Sequence, residues 1–171
     1  YFLQPALASG LPAMFRAVRA GGASTSLDPN HDPAEAWDSG FAAAAAETDV
    51  LLPNAVEAVA LGREDDPILA ARRLGARCVA VKLGAEGAVA IGPSGEVVHV
   101  GAPAVETVDA VGAGDAFDAG FIAGLLDGRD LEGCLRLAVA SGALSTRAIG
   151  GVDGQATREE AEALARPLAA R

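Results

Sequence analysis

Cysteine is almost absent: Cys78 and Cys134 are the only two in 171 residues. With no C-x-x-C spacing and no disulfide framework, the cytoplasm is the expected location. Aromatic residues are scarce at 4%, so aliphatic side chains must fill the core. Basic residues are outnumbered, 13 Lys and Arg against 23 Asp and Glu. The formal net charge of −10 argues against nucleic acid or an anionic membrane as a partner. The plainer reading of that acidity is a soluble surface. No apolar run reaches the length of a membrane span, and no charged segment leads into a cleavage site, so no signal peptide is expected. No G-x-x-x-x-G-K-[ST] occurs, which excludes a P-loop. Methionine occurs once, at Met14, and the chain opens on Tyr1-Phe2-Leu3. That opening reads as the middle of a longer chain, and a fragment is the expectation.

What is present is apolar (51%) and moderately charged (21%), enough for one globular domain over 1–171. Strands are expected at Tyr1–Leu3, Ser24–Leu27, Val50–Leu52, Cys78–Leu83, Ala88–Ile91 and Val97–Val100. Helices are expected at Leu11–Ala20, Pro33–Thr48, from Asn54, at Asp66–Leu74, Gly114–Asp127, from Leu131, and after the Thr157-x-x-Glu160 capping box. Trp37 and Phe41, four apart, are expected on one helix face as core. This alternation predicts a parallel sheet covered on both faces, a three-layer α/β fold. In such sheets ligands bind at the carboxyl ends of strands, where Asp28 and Asn30 fall.

The stretch that carries chemistry is Asp109-Ala-Val-Gly-Ala-Gly-Asp115, followed by an apolar helix. Gly112 and Gly114 let the backbone turn sharply and approach a ligand. The helix start offers unpaired N–H groups and a positive dipole end, suited to phosphate. Asp115 stands where a carboxylate can take a proton from a hydroxyl attacking a phosphoryl group. The competing reading is a turn and helix cap, which Gly and Asp also favour. Phe117 occupies the third glycine position of G-x-G-x-x-G, so the dinucleotide fingerprint is incomplete.

This stretch resembles the D-T-x-G-A-G-D signature of the ribokinase-like (PfkB) carbohydrate kinases, with Ala110 in place of Thr. Asp28-Pro29-Asn30 is similar to the family's D-P-N-x-R element, although His31-Asp32 breaks it; a simple turn fits equally. Asn54-Ala-Val-Glu57 resembles the N-x-x-E motif, and is also the sequence of a capping box. Val81-Lys82-Leu83-Gly84 with Gly87 resembles the strand and turn near the nucleotide phosphates, while a solvated lysine is the bland alternative.

The resemblance implies a ribokinase-like nucleotide-binding core, with the N-terminal part and lid of the family missing. It implies ATP-dependent phosphorylation of a hydroxyl on a sugar or sugar acid. Asp115 is then the general base, with Gly112, Ala113 and Gly114 forming the anion hole. Lys82, Gly84 and Gly87 serve the phosphates, and Ser141 and Gly142 lie on the helix lining an adenine pocket. Asn54, which also counts among the nucleotide contacts, and Glu57 hold Mg²⁺ through water; Asp109 with the loop to Gly151 holds a monovalent cation such as K⁺. Asp28 and Asn30 lie on the substrate side, and a homodimer is expected of the full-length protein. Two rivals remain: a nucleotide-binding fragment lacking the sugar site, and an α/β interaction domain whose glycines serve only turns.

Overall fold

Val50–Leu51 (β2), Cys78–Lys82 (β3) and Ala88–Ile91 (β4) are continuous apolar runs, and nearly every residue in them is buried. Strands buried on both faces read this way, because each face is covered by other elements. The computed structural model describes residues 1–170, so the last residue of the single-domain span lies outside the described residues. The other elements are Pro5–Ala20 (α1), Ser26–Leu27 (β1), Phe41–Ala45 (α2), Ala55–Gly62 (α3), Pro67–Ala71 (α4), Val97–Val100 (β5), Ala113–Leu126 (α5), Leu131–Ser145 (α6) and Arg158–Ala165 (α7). Gly84–Glu86 forms a 3₁₀ turn after β3. The chain divides into two compact units, Tyr1–Val81 with Ile91–Glu96, and Lys82–Ala90 with Val97 onward.

In the first unit, β1 pairs parallel to β2, and β2 parallel to β3, through Ser26–Val50 and Val50–Cys78 registers. Parallel pairing requires crossovers, and the intervening helical segments supply them. Leu11 and Phe15 of α1 pack with Ala44 of α2, and Tyr1 and Leu27 lie against this cluster. Pro5 suits the first helical position, where a missing N–H costs nothing.

Two sequence expectations for this unit are corrected. Tyr1–Leu3 is a turn rather than a strand, closed by the Gln4 N–H donating to the Tyr1 carbonyl at 3.2 Å. Its rings are used laterally: Tyr1 meets Phe2 and Phe41 edge-on at 5.0 and 5.4 Å. The helix expected over Pro33–Thr48 shrinks to Phe41–Ala45. The cause is Asp32, a buried carboxylate that accepts the N–H groups of Ala34 (2.9 Å) and Trp37 (2.7 Å). Such local side-chain bonds compete with helical ones. The Trp37 N–H, ahead of the other backbone donors, also holds the Asp32 carboxyl below the usual carboxylate range. Trp37 therefore sits outside any helix, edge-on to Phe2 and His31.

In the second unit β4 and β5 are sheet neighbours. Only Gly92–Glu96 separates them in the chain, too short for a parallel crossover, so the sheet is mixed in direction rather than wholly parallel. The unit's largest packing contact is α5 against α6. Gly124 lies against Cys134, where an added Cβ would come 2.8 Å from the Cys134 Cα, and Gly120 meets Ala138 and Ser141 as closely. Small residues on both helices bring the two backbones together.

Candidate active site

The turn before α5 is held from both sides. The N–H groups of Val108 and Asp109 both donate to the Thr146 carbonyl, at 2.8 and 3.1 Å. The Asp109 carboxylate accepts the Gly150 N–H at 2.9 Å and the Val111 N–H at 3.0 Å. Those bonds, Gly150 first, hold the Asp109 carboxyl below the usual range. Gly112 then takes a left-handed conformation, φ 80°, as the N-cap of α5. A Cβ there would stand 2.6 Å from the Cα of Gly151, so both the backbone angle and the close approach require glycine. The glycines of two separate segments thus meet, and the Gly150-Gly151 loop is part of the site's frame.

Gly112 supplies no side-chain cap. The Ala113 N–H donates to the Ala110 carbonyl at 3.2 Å and the Ala116 N–H to Gly112 at 2.9 Å. Among the described residues, none accepts the N–H groups of Gly114 and Asp115. Two adjacent open donors at the positive end of a four-turn helix have the chemistry to receive an anion. Asp115 is exposed in the first turn of α5. It stands at one end of a cavity of about 290 Å³ that runs over Ala116, Ala119 and Ala123 of α5. Leu137 and Ser141 of α6, Gln155 to Thr157 before α7 and Arg158 at its start close the other walls.

Lys82, at the end of β3, does not point into bulk water. Its ammonium contacts both carboxylate oxygens of Asp118, at 3.1 and 3.3 Å, and both side chains are largely buried. The Lys82 Nζ lies 3.7 Å from the place a Cβ on Gly114 would occupy, beside the first turn of α5. Gly84 opens the 3₁₀ turn and Gly87 follows it, and the Leu83 N–H donates to the Gly87 carbonyl at 2.9 Å. Gly87, at φ 94°, has the Val100 carbonyl where a Cβ would be, a close strand approach that again requires glycine. Gly142 packs on Ala113 and Phe117, whereas Ser141 lines the cavity.

The second unit therefore assembles Lys82, Asp109, Gly112, Ala113, Gly114, Asp115 and Ser141 around the start of α5. Gly84, Gly87 and Gly142 also belong to this unit, and the first unit carries Asp28, Asn30, Asn54 and Glu57. Asn54 and Glu57 form a complete capping box at α3: the Asn54 Oδ1 accepts the Glu57 N–H, and Glu57 Oε2 accepts the Asn54 N–H, both at 2.9 Å. Asp28 Oδ1 accepts the Asn30 N–H at 3.1 Å, and Asn30 is left-handed at φ 61°. Among the described residues no three His, Cys, Asp or Glu side chains converge as a metal cage. Nor, among them, is any helix long and apolar enough to cross a membrane.

Sequence reasoning missed Asp118, whose only signal is its place one turn beyond Gly114 on the same helix. It also missed Arg147, which forms a two-point pair with Glu160 at 2.9 and 3.0 Å and donates to the Gly154 and Gln155 carbonyls. Arg147 thereby ties down the loop that carries Gly150 and Gly151.

The chain is 38% identical over 159 residues to an ATP-dependent ribose-1-phosphate kinase of Halopiger xanaduensis, covering 93% of this chain and 51% of that protein. The ribokinase of Arabidopsis thaliana, solved with ribose and ATP, superposes with a TM-score of 0.78 at 26% identity, over 93% of this chain and 53% of that one. An E. coli protein described as a candidate ribokinase II, solved with ATP and Mg²⁺, gives a TM-score of 0.77 at 31% identity, over 89% and 51%. The chain spans about half the length of the relatives it matches. The fold is thus the ribokinase-like α/β fold. The pfkB family carbohydrate kinase model matches residues 2–158, and with the glycine turn, its uncapped helix and the exposed Asp115 this establishes that the chain belongs to the pfkB family of carbohydrate kinases.

Proposed function

We propose that this chain carries the phosphoryl-transfer site of an ATP-dependent kinase acting on a hydroxyl of a sugar or sugar acid. The observation that carries the reading is the start of α5, with two N–H groups that no acceptor takes among the described residues and an exposed carboxylate beside them. The N–H groups of Gly114 and Asp115, on the turn built by Gly112 and Ala113, receive the oxygens of the transferring phosphoryl group. Fixed donors of this kind stabilise developing charge with no reorganisation at the moment of reaction. Asp115 accepts the proton of the attacking hydroxyl. A carboxylate is a weak base in general, which suffices when a loose transition state releases the proton late. Lys82 adds positive charge beside the same turn, Gly84 and Gly87 shape the backbone near the phosphates, and Ser141 lies in the wall of the cavity that starts at Asp115. Gly142 brings α6 close to the start of α5.

The residues at α3 fit Mg²⁺ in one specific way. Asn54 and Glu57 offer hard oxygen donors, yet both side chains already serve the capping box. Mg²⁺ keeps several waters and is held by one or two carboxylates with substrate phosphates, so a water-mediated role suits this pair and an all-protein cage does not. When bound, the ion neutralises phosphate charge. Asp109 fits a K⁺ partner as an anionic carboxylate beside the Gly150-Gly151 loop, although backbone N–H groups already engage both its oxygens. Asp28 and Asn30 serve the acceptor side. Ribose, ribose 1-phosphate and sugar acids are the acceptor classes to test, and a homodimer of the whole protein is part of the same reading.

A second reading, nucleotide binding without turnover by this chain alone, rests on the half-length span of the match. One calorimetric titration with ATP·Mg²⁺, with and without K⁺, addresses both readings, followed by ADP release over a panel of those acceptors. Saturable binding with turnover is the expected result. Binding without turnover on any acceptor supports the second reading, and no binding overturns both.

A further inference from the structure

Asp118 has no role in the proposed reaction, and the placement of its pair with Lys82 is unusual. An ammonium beside the first turn of a helix faces the positive end of the helix dipole, the adverse end for a cation. Both charges are largely withdrawn from water, which costs desolvation that a well-packed apolar pair would avoid. Lysine is also a flexible point charge, with several rotamers to lose on being fixed. Asp118 offsets these costs: it stands one turn along the helix from Gly114 and meets the ammonium with both oxygens, at 3.1 and 3.3 Å.

We propose that Asp118 is a positioning residue, which holds the Lys82 ammonium beside the N-terminal turn of α5 so that a phosphate on the N–H groups of Gly114 and Asp115 meets a cation already in place. The inference rests on the kinase reading and adds to it the means by which a mobile lysine becomes a fixed part of the anion site. An ammonium has three donors, so holding Asp118 does not exhaust its capacity for phosphate oxygens. A lysine placed in advance spends no rotamer entropy when the nucleotide arrives, which is the general advantage of preorganisation.

Two opposite expectations separate positioning from simple neutralisation. If Asp118 merely cancels the charge of Lys82, Asp118→Asn leaves the site more positive and ATP·Mg²⁺ binds more tightly. If Asp118 positions Lys82, the same variant weakens binding by roughly tenfold, the worth of one charge-assisted hydrogen bond. The titration is run on the wild-type chain, Asp118→Asn, Asp118→Glu, Lys82→Met and the Lys82→Met/Asp118→Asn double variant. Positioning predicts that Asp118→Asn and Lys82→Met each weaken binding, that the double variant is no weaker than Lys82→Met, and that Asp118→Glu recovers part of the loss. Additive losses mean a structural role only, and unchanged or tighter binding in Asp118→Asn overturns the proposal while the kinase reading stands. A wild-type chain that binds no nucleotide overturns both. Should Asp118→Asn fail to fold, Lys82→Met/Asp118→Leu keeps the volume without buried charge, and its binding must match Lys82→Met for the proposal to survive.

Discussion

The starts of α3 and α5 are built on opposite plans. At α3 the Asn54 and Glu57 side chains each take the other's backbone N–H, and the end is closed by the protein itself. Thr157 and Glu160 close α7 in the same way. At α5 the N-cap is Gly112, which has no side chain to offer, and no acceptor among the described residues engages the donors of Gly114 and Asp115. A capped start is worth about 1 kcal/mol of stability. A helix that forgoes the cap keeps its donors for another acceptor, and the cost falls on neighbouring structure, here α6 packing and the Asp109–Gly150 bond. Glycines near a helix start therefore mean different things according to where the N–H groups go.

The sharpest way to test the contrast is Asp115→Asn. Turnover is expected to fall by roughly 10²- to 10⁴-fold, the usual worth of a positioned acid or base, with ATP affinity little changed. Normal turnover, read as ADP release, would remove Asp115 from the base role. Next in size is Gly112→Val, which sets a β-branched residue at φ 80° against Gly151. A loss of about 2–4 kcal/mol is expected from strain and overpacking, measured by urea unfolding, together with loss of nucleotide binding. Unaltered stability would mean that the turn yields easily and does not fix the N–H groups.

The α3 end offers a finer test. Asn54→Ala removes the cap and should cost about 1 kcal/mol, whereas Asn54→Ser keeps a capping oxygen and most of that stability. If Asn54 also serves Mg²⁺, Asn54→Ser weakens ATP affinity only when Mg²⁺ is present. Equal affinity with and without Mg²⁺ in both variants would leave α3 with a cap and nothing more. The smallest effect belongs to α7. Hydrogen bonds from Arg147, and then from the Thr157 backbone, lower the Glu160 pKa from 4.5 to about 2. A carboxyl lowered on folding contributes stability above its unfolded pKa and loses it as pH falls through the folded one. The wild-type chain should thus lose stability between about pH 4.5 and 2, and Glu160→Gln should flatten that part of the profile. Parallel acid profiles by thermal melts would show that solvent screens the exposed pair.

Much of this was legible beforehand for local reasons. β4 and β5 stand at the residues expected, Ala88–Ile91 and Val97–Val100, because turn residues bracket short apolar runs. The α5 start and the Thr157 capping box were equally readable, since glycine and cap chemistry act within four residues. The failures share a cause. Tyr1–Leu3 has strand composition but spends its rings on Phe41, and the Ala-rich 33–48 segment loses its first half to the N–H bonds that Asp32 accepts. Propensity says nothing of a buried carboxylate that takes up the backbone donors nearby.

Read alone, the residues determined the alternation of strands and helices, the glycine turn and the aspartate at the helix start after it, because these depend on backbone freedom and short-range bonding. Tertiary structure alone decided that Gly112 meets Gly151, that Gly150 binds Asp109, and that Lys82 is paired with Asp118 rather than solvated. Each of those contacts joins residues 36 to 41 positions apart in the chain. Which partner a charge or a glycine meets over such separations is set by how the elements pack, and no local pattern encodes it.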